Sequence, residues 1–165
     1  MELELLTPEA WLKERRRFIE FAVRFGEKRI TVFSLHAMRR MNADALRCAG
    51  DGFSSSAAAA VRIGGRLAGI GFASGGGEEG CIVVVHPEAR QRGVGSAILS
   101  ALTKRMNGLT CNAAADNYAS MALCFSLGMH AVSLHKGPTG KPTLRFERRI
   151  CHDSARAGHT DPIPE

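Results

Sequence analysis

The sequence predicts an α/β chain of the α+β kind, with a central mixed, mostly antiparallel sheet and the element order β α α β β β α β α β β. Three observations carry this prediction. Apolar residues fall at helical spacing in four separate stretches, a β-branched run stands at Cys81 to Val85, and glycine pairs separate short strand-like arms. A chain of 165 residues, 45% of them hydrophobic, has material for one core, so residues 1–150 are expected to form a single domain. The tail 151–165, poor in apolar residues, is expected to be mobile.

Leu3 to Leu6 is short enough for one strand. Thr7-Pro8-Glu9 then supplies a cap, a first-turn proline and a carboxylate at the positive end of a helix dipole, so a helix should start near Pro8. Trp11, Phe18, Ala22 and Phe25, with Leu12, Ile19 and Val23 beside them, define its core face up to Gly26. Leu35, Met38, Met41, Ala45 and Cys48 predict a second helix between Val32 and Cys48. Ala57 to Ile63 and Leu67 to Ala73 flank Gly64-Gly65 as a hairpin, and Gly75 to Gly77 is a further turn.

Cys81 to Val85 carries no polar alternation, which predicts a central strand buried on both faces. Helical spacing resumes from Gly93 to about Met106, and a strand follows at Leu109 to Ala113, which implies a parallel crossover. Asn117 to Leu127 is helical in pattern and closed by Gly128. Ala131 to His135 and Thr143 to Arg148 form two last strands around a turn from Gly137 to Gly140.

No apolar stretch approaches the ~20 residues that a membrane span needs, and the start MELELLTPEA is acidic where a signal peptide would be basic and then apolar. The expectation is a cytoplasmic protein with no membrane partner. The five cysteines include no C-x-x-C pair and read as thiols in a reducing compartment. The six histidines are equally scattered, and no metal is expected. A net charge of +6 favours anionic partners. Aromatic residues suited to stacking are few, which argues against nucleic acid.

The densest chemistry lies at Arg90-Gln91-Arg92-Gly93-Val94-Gly95. Glycines between a buried strand and a helix bring the backbone close to a ligand and aim unpaired N–H groups at one point, where an anion is favoured. Arg90 and Arg92 add charge at the rim, so a pyrophosphate suits the turn, although such glycines also serve merely to make a bend. A dinucleotide fingerprint would need glycine at Ile98, and a phosphate-loop fingerprint would need Gly-Lys-Ser/Thr. Neither is present.

Two segments resemble the GCN5-related N-acetyltransferases (GNAT). Val85-His86-Pro87-Glu88-Ala89-Arg90-Gln91-Arg92-Gly93-Val94-Gly95 is similar to the family's V-x-P-x-x-R-x-x-G-x-G/A motif. The stretch from Asn117 to Met129, NYASMALCFSLGM, resembles its N-x-x-A/S-x-x-L-Y-x-x-L-G-F motif. The resemblance covers roughly residues 3 to 149. It implies splayed fourth and fifth strands, with acetyl-CoA as co-substrate. Pantetheine would pair with Val83, Val84 and Val85, the pyrophosphate would lie over Arg90 to Ser96, and Asn117 would contact the cofactor or simply cap its helix.

Acetyl transfer to an amine needs a neutral amine, an oxyanion donor and a proton for the departing thiolate. The family's usual proton donor is a tyrosine at the position of Cys124. Cys124 is therefore a candidate acid as well as a candidate core thiol, and Tyr118 lies ~240° away around the helix. Glu78 and Glu79, just before the central strand, are the candidate bases, with His36, His86 and His135 behind them. The basic run Arg15 to Arg17 reads as a solvated face or as part of an acceptor side. The resemblance implies an N-acetyltransferase for a small-molecule or peptide amine, and a homodimer is compatible with it. The alternative is a CoA-binding sensor that has lost catalysis.

Overall fold

The computed structural model describes residues 1–150, so the tail 151–165 lies outside the described residues. Strand β1 spans Glu2–Leu5, and helix α1 spans Pro8–Phe25. The Thr7 hydroxyl accepts the Ala10 N–H at 3.2 Å, which satisfies one orphan donor of the first turn. Trp11, Phe18, Phe21 and Ala22 are buried, and Trp11 meets Phe18 edge-on and stacks on Phe72, both at 5.6 Å. Leu12 and Val23, expected beside this face, are 60% and 61% exposed, because the buried arc of α1 is narrower than its apolar pattern.

Helix α2 spans only Val32–Arg40. The expected continuation to Cys48 breaks at Met41, whose ψ of 124° leaves the helix, and Asn42 caps a separate 3-10 turn at Ala43–Leu46. Met41 and Leu46 are still buried while Cys48 is exposed, so a broken path mimicked one helical face.

The hairpin β2 (Ala57–Ile63) and β3 (Arg66–Ser74) joins β1 and β4 (Gly80–Val85) in an antiparallel sheet ordered β1-β2-β3-β4. Helix α3 (Val94–Arg105) follows, then β5 (Gly108–Ala114), α4 (Tyr118–Ser126), β6 (His130–Lys136) and β7 (Pro142–Arg149). The last three strands form a second antiparallel sheet ordered β5-β7-β6. The parallel crossover expected between β4 and β5 forms no ladder among the described residues. Among the described residues β4 is thus an edge strand of its sheet, not a central one, and pairs with β3 alone.

Of the two faces of β4 expected to be buried, one is buried and the other is half-buried. Ile82 and Val84 enter the core built with α1, α2 and the far face of the sheet, while Cys81, Val83 and Val85 pack toward α3, β5 and α4. Two glycines of β3 admit α3 to the sheet. A Cβ on Gly71 would lie 2.1 Å from Ile98 Cγ2, and one on Gly69 would lie 2.6 Å from Val94 Cγ1. That close seat fixes the N-terminus of α3 at the end of β4.

Candidate active site

The unpaired edges of β4 and β5 border a gap that is closed at one end. Gly77, with φ +98°, lies so tightly against β5 that a Cβ there would fall 1.8 Å from the Thr110 carbonyl oxygen. At the other end β4 runs through His86 into the glycine turn, and β5 runs into the start of α4.

The ladder settles which groups of β4 face this gap. The His86 N–H donates to the Ala68 carbonyl at 2.8 Å, and residues of an antiparallel pair alternate between bonded and non-bonded. In the register Val85↔Gly69, Val84↔Ile70, Val83↔Gly71, the backbone of Val84 therefore turns to β3. Val83 and Val85 present their N–H and C=O groups to the gap. Of the three valines expected to offer backbone groups, Val84 does not.

At the mouth, Gly93 is the cap of α3 with φ +77°, a left-handed conformation that favours glycine, and no side chain caps the helix. A Cβ on Gly93 would meet nothing within 4 Å, so the space above the turn is open. The N–H groups of the first turn, Val94 to Ser96, have no intrahelical partner and are joined by the helix dipole, which makes the turn a fit for phosphate oxygens. Arg90 pairs with Glu27 at 2.5 Å, and Arg29 pairs with Asp116 at 3.2 Å. The turn between α1 and α2 is thereby tied to the ends of both gap-forming strands. Lys141 holds the other Asp116 oxygen at 2.5 Å, and it is the largest cause of the lowered Asp116 pKa.

The candidate catalytic residues are placed unequally. Glu78 is gripped by both terminal nitrogens of Arg145 from β7, and these hydrogen bonds hold its carboxyl below the usual range. Glu79 instead accepts the Ser74 hydroxyl at 2.6 Å, and Ser74 meets the buried Ser56 hydroxyl at 3.3 Å. Cys124 is 4% exposed, with its sulfur 3.6 Å from Cys111 Sγ. The hydrogen bond with Cys111, followed by burial, pushes the Cys124 thiol far up, so it is a poor proton donor and packs in the core.

The other candidates have structural partners. Asn117 caps α4, accepting the Ser120 N–H at 3.3 Å. Tyr118 is 76% exposed, on a different face from Cys124. His86 accepts the Glu88 N–H and meets Phe25 edge-on at 4.5 Å. The run Arg15 to Arg17 is spread over the Arg39 carbonyl, Glu20 and Glu14. The sequence reading missed Arg145, Glu27 and Cys111 as the partners of Glu78, Arg90 and Cys124, which only the fold brings together, and Ser74 as the partner of Glu79.

Comparison with known proteins decides the family. A sequence model described as the Acetyltransferase (GNAT) family matches residues 28–129, more than half of the chain and including both motifs. The chain belongs to the GNAT family. Among solved structures, ribosomal-protein-alanine N-acetyltransferase from Brucella melitensis is similar at a TM-score of 0.62 and 16% identity, over 90% of this chain and 99% of that one. The protein yncA from Salmonella typhimurium, solved with its cofactor acetyl-CoA, gives 0.63 and 15% over 93% and 96%. A mutant of spermidine N-acetyltransferase from Vibrio cholerae gives 0.60 and 10% over 91% and 95%. No curated protein matches the chain by sequence.

The two sheets parted between β4 and β5 are the GNAT fold in this chain. The open glycine turn and the free β4 edge suit the pyrophosphate and the amide-bearing arm of coenzyme A. Among the described residues no group of three or more His, Cys, Asp or Glu side chains is arranged to hold a metal ion, and no helix is long and apolar enough to cross a membrane.

Proposed function

We propose that the protein is an N-acetyltransferase that moves an acetyl group from acetyl-CoA to a primary amine of a small molecule or peptide, by direct attack within a ternary complex. The observation that carries this reading is the continuity of three features: the uncapped, glycine-led start of α3, the free edge at Val85 and Val83, and the gap closed at Gly77. The α3 turn takes the pyrophosphate, with Arg90 exchanging Glu27 for phosphate. Val83 and Val85 align the pantetheine amides, and their N–H groups polarise the thioester carbonyl.

Glu79 takes the proton of the incoming ammonium, directly or through water, and Ser74 steadies its carboxylate. Glu78 positions β7 through Arg145 and is a poor base, because the guanidinium already occupies its lone pairs. Solvent protonates the departing thiolate, since the Cys124 thiol is buried against Cys111 and holds its proton tightly. In-line holding of amine and thioester supplies most of the rate, up to ~7–11 kcal/mol in ideal intramolecular cases. The structural neighbours named for a ribosomal protein and for spermidine support an amine acceptor without choosing its size.

A second reading, a CoA-binding protein without turnover, draws on the same engagement of Glu78 and burial of Cys124. Following thiol release from acetyl-CoA across a panel of primary amines separates the two. Saturable, amine-dependent release supports transfer, and tight CoA binding with no release from any amine supports the second reading.

A further inference from the structure

Five polar side chains are buried among the described residues, and three of them, Ser54, Ser56 and Ser74, stand beside the loop that leads to Glu79. Thr103 and Thr143 give their hydroxyls to nearby backbone carbonyls, those of Leu99 and Lys141. The serines instead form a chain that ends on a carboxylate. The Ser56 hydroxyl lies 3.3 Å from that of Ser74, and the Ser74 hydroxyl lies 2.6 Å from Glu79 Oε2.

The two ends of the chain fix its direction. An ionised carboxylate only accepts, so Ser74 donates to Glu79, and the Ser74 oxygen in turn accepts from Ser56. The Ser56 oxygen accepts the Gly75 N–H at 3.3 Å, a backbone donor that cannot reverse. Both hydroxyls therefore point toward Glu79.

The far end is held by the fold. Ser54 Oγ donates to the Ser56 carbonyl at 2.7 Å, and the Ser56 N–H donates at 3.2 Å to the Ala45 carbonyl, in the 3-10 turn that follows α2. At the near end the Glu79 N–H returns to the Ser74 carbonyl at 3.2 Å. The Glu79 side chain folds over Gly75, where an added Cβ would lie 3.0 Å from its Cγ and 3.4 Å from its Oε1. Glu79 is exposed, so without these anchors its long side chain would spread over several rotamers.

We propose that Ser56 is a positioning residue for acetyl transfer: acting through Ser74, it holds Oε2 of Glu79 and leaves Oε1 to take the proton of the incoming ammonium. This rests on Glu79 as the base, the reading given above. An N–H bond of the ammonium breaks as an O–H bond forms at Oε1, giving a neutral amine and a carboxylic acid. A proton on Oε2 would instead turn the buried Ser74 O–H away from its only acceptor among the described residues, leaving an unsatisfied donor. Protonation at Oε1 leaves the chain intact.

The test follows steady-state kinetics of the full-length protein with acetyl-CoA and whichever primary amine of the panel gives the fastest thiol release. Ser56→Ala should lower kcat about five- to tenfold, with the amine KM and the CoA affinity within about twofold. Ser56→Thr, which keeps the hydroxyl, should restore most of kcat. In a Ser74→Ala background Ser56→Ala should add no further loss, because the link to Glu79 is already cut. Should Ser56→Ala not fold, Ser56→Cys, a weaker donor of similar size, replaces it with the same expected direction. Unchanged kcat in Ser56→Ala, or the same further loss with and without Ser74, overturns the proposal while a large loss in Glu79→Gln leaves the base in place. Full activity in Glu79→Gln, or no amine-dependent release at all, overturns both.

Discussion

Arg145, in the middle of β7, closes a two-pronged ion pair on Glu78 in the turn before β4, and so bridges the two sheets across the gap. With both carboxylate oxygens engaged, Glu78 is expected to be dispensable for proton transfer. Glu78→Gln should leave kcat within about threefold of wild type, against the ~100-fold loss typical of a general base. Its effect falls on stability. Because the folded pKa is depressed, the pair stabilises above the ordinary carboxylate value of 4.5 and loses that contribution as pH falls through the lower folded value. Thermal midpoints of the wild type and the variant should converge in acid and separate by a small margin at neutral pH.

Glu79 is predicted to behave in the opposite way. Glu79→Gln should lower kcat by about a hundredfold with CoA affinity unchanged, and Ser74→Ala should cause a smaller loss by releasing the carboxylate. Steady-state kinetics and calorimetry on the same preparations check both. Full activity in Glu79→Gln would remove Glu79 from the proton path.

Cys124→Ala should keep turnover within about threefold, because the thiol is buried against Cys111 and is a poor proton donor. The lost sulfur should cost about 1–2 kcal/mol in chemical denaturation, as for a small core deletion. A large fall in kcat at unchanged stability would restore the thiol as an acid.

Gly77→Ala tests the closed end of the gap. The added Cβ meets the Thr110 carbonyl at 1.8 Å in a left-handed conformation, so about 2–3 kcal/mol of stability should be lost and β5 displaced. Gly64→Ala is the control, with φ +56° but no atom within 4 Å, and should cost about 1 kcal/mol. Denaturant midpoints distinguish the two.

These predictions rest on features of unequal legibility. Thr7-Pro8, Gly64-Gly65 and the Gly93 turn were readable because each is a local backbone demand written in adjacent residues. The end of α2 was not, since a 3-10 turn after Met41 places Leu46 in the core much as a continued helix would. The apolar run of β4 told of one buried and one half-buried face but not of its edge position, because side-chain pattern reports on faces and says nothing of lateral pairing. The partners that separate Glu78 from Glu79 were hidden for a different reason. Arg145 lies 67 residues from Glu78, and only the fold brings them together.

The most direct test of the central claim is a calorimetric titration of CoA into the wild type and Gly93→Asp. The account predicts saturable one-to-one binding to the wild type and at least about a hundredfold weaker binding to the variant, whose carboxylate and strained backbone occupy the phosphate cradle. Equal affinity in the two proteins, or no binding to either, would contradict it.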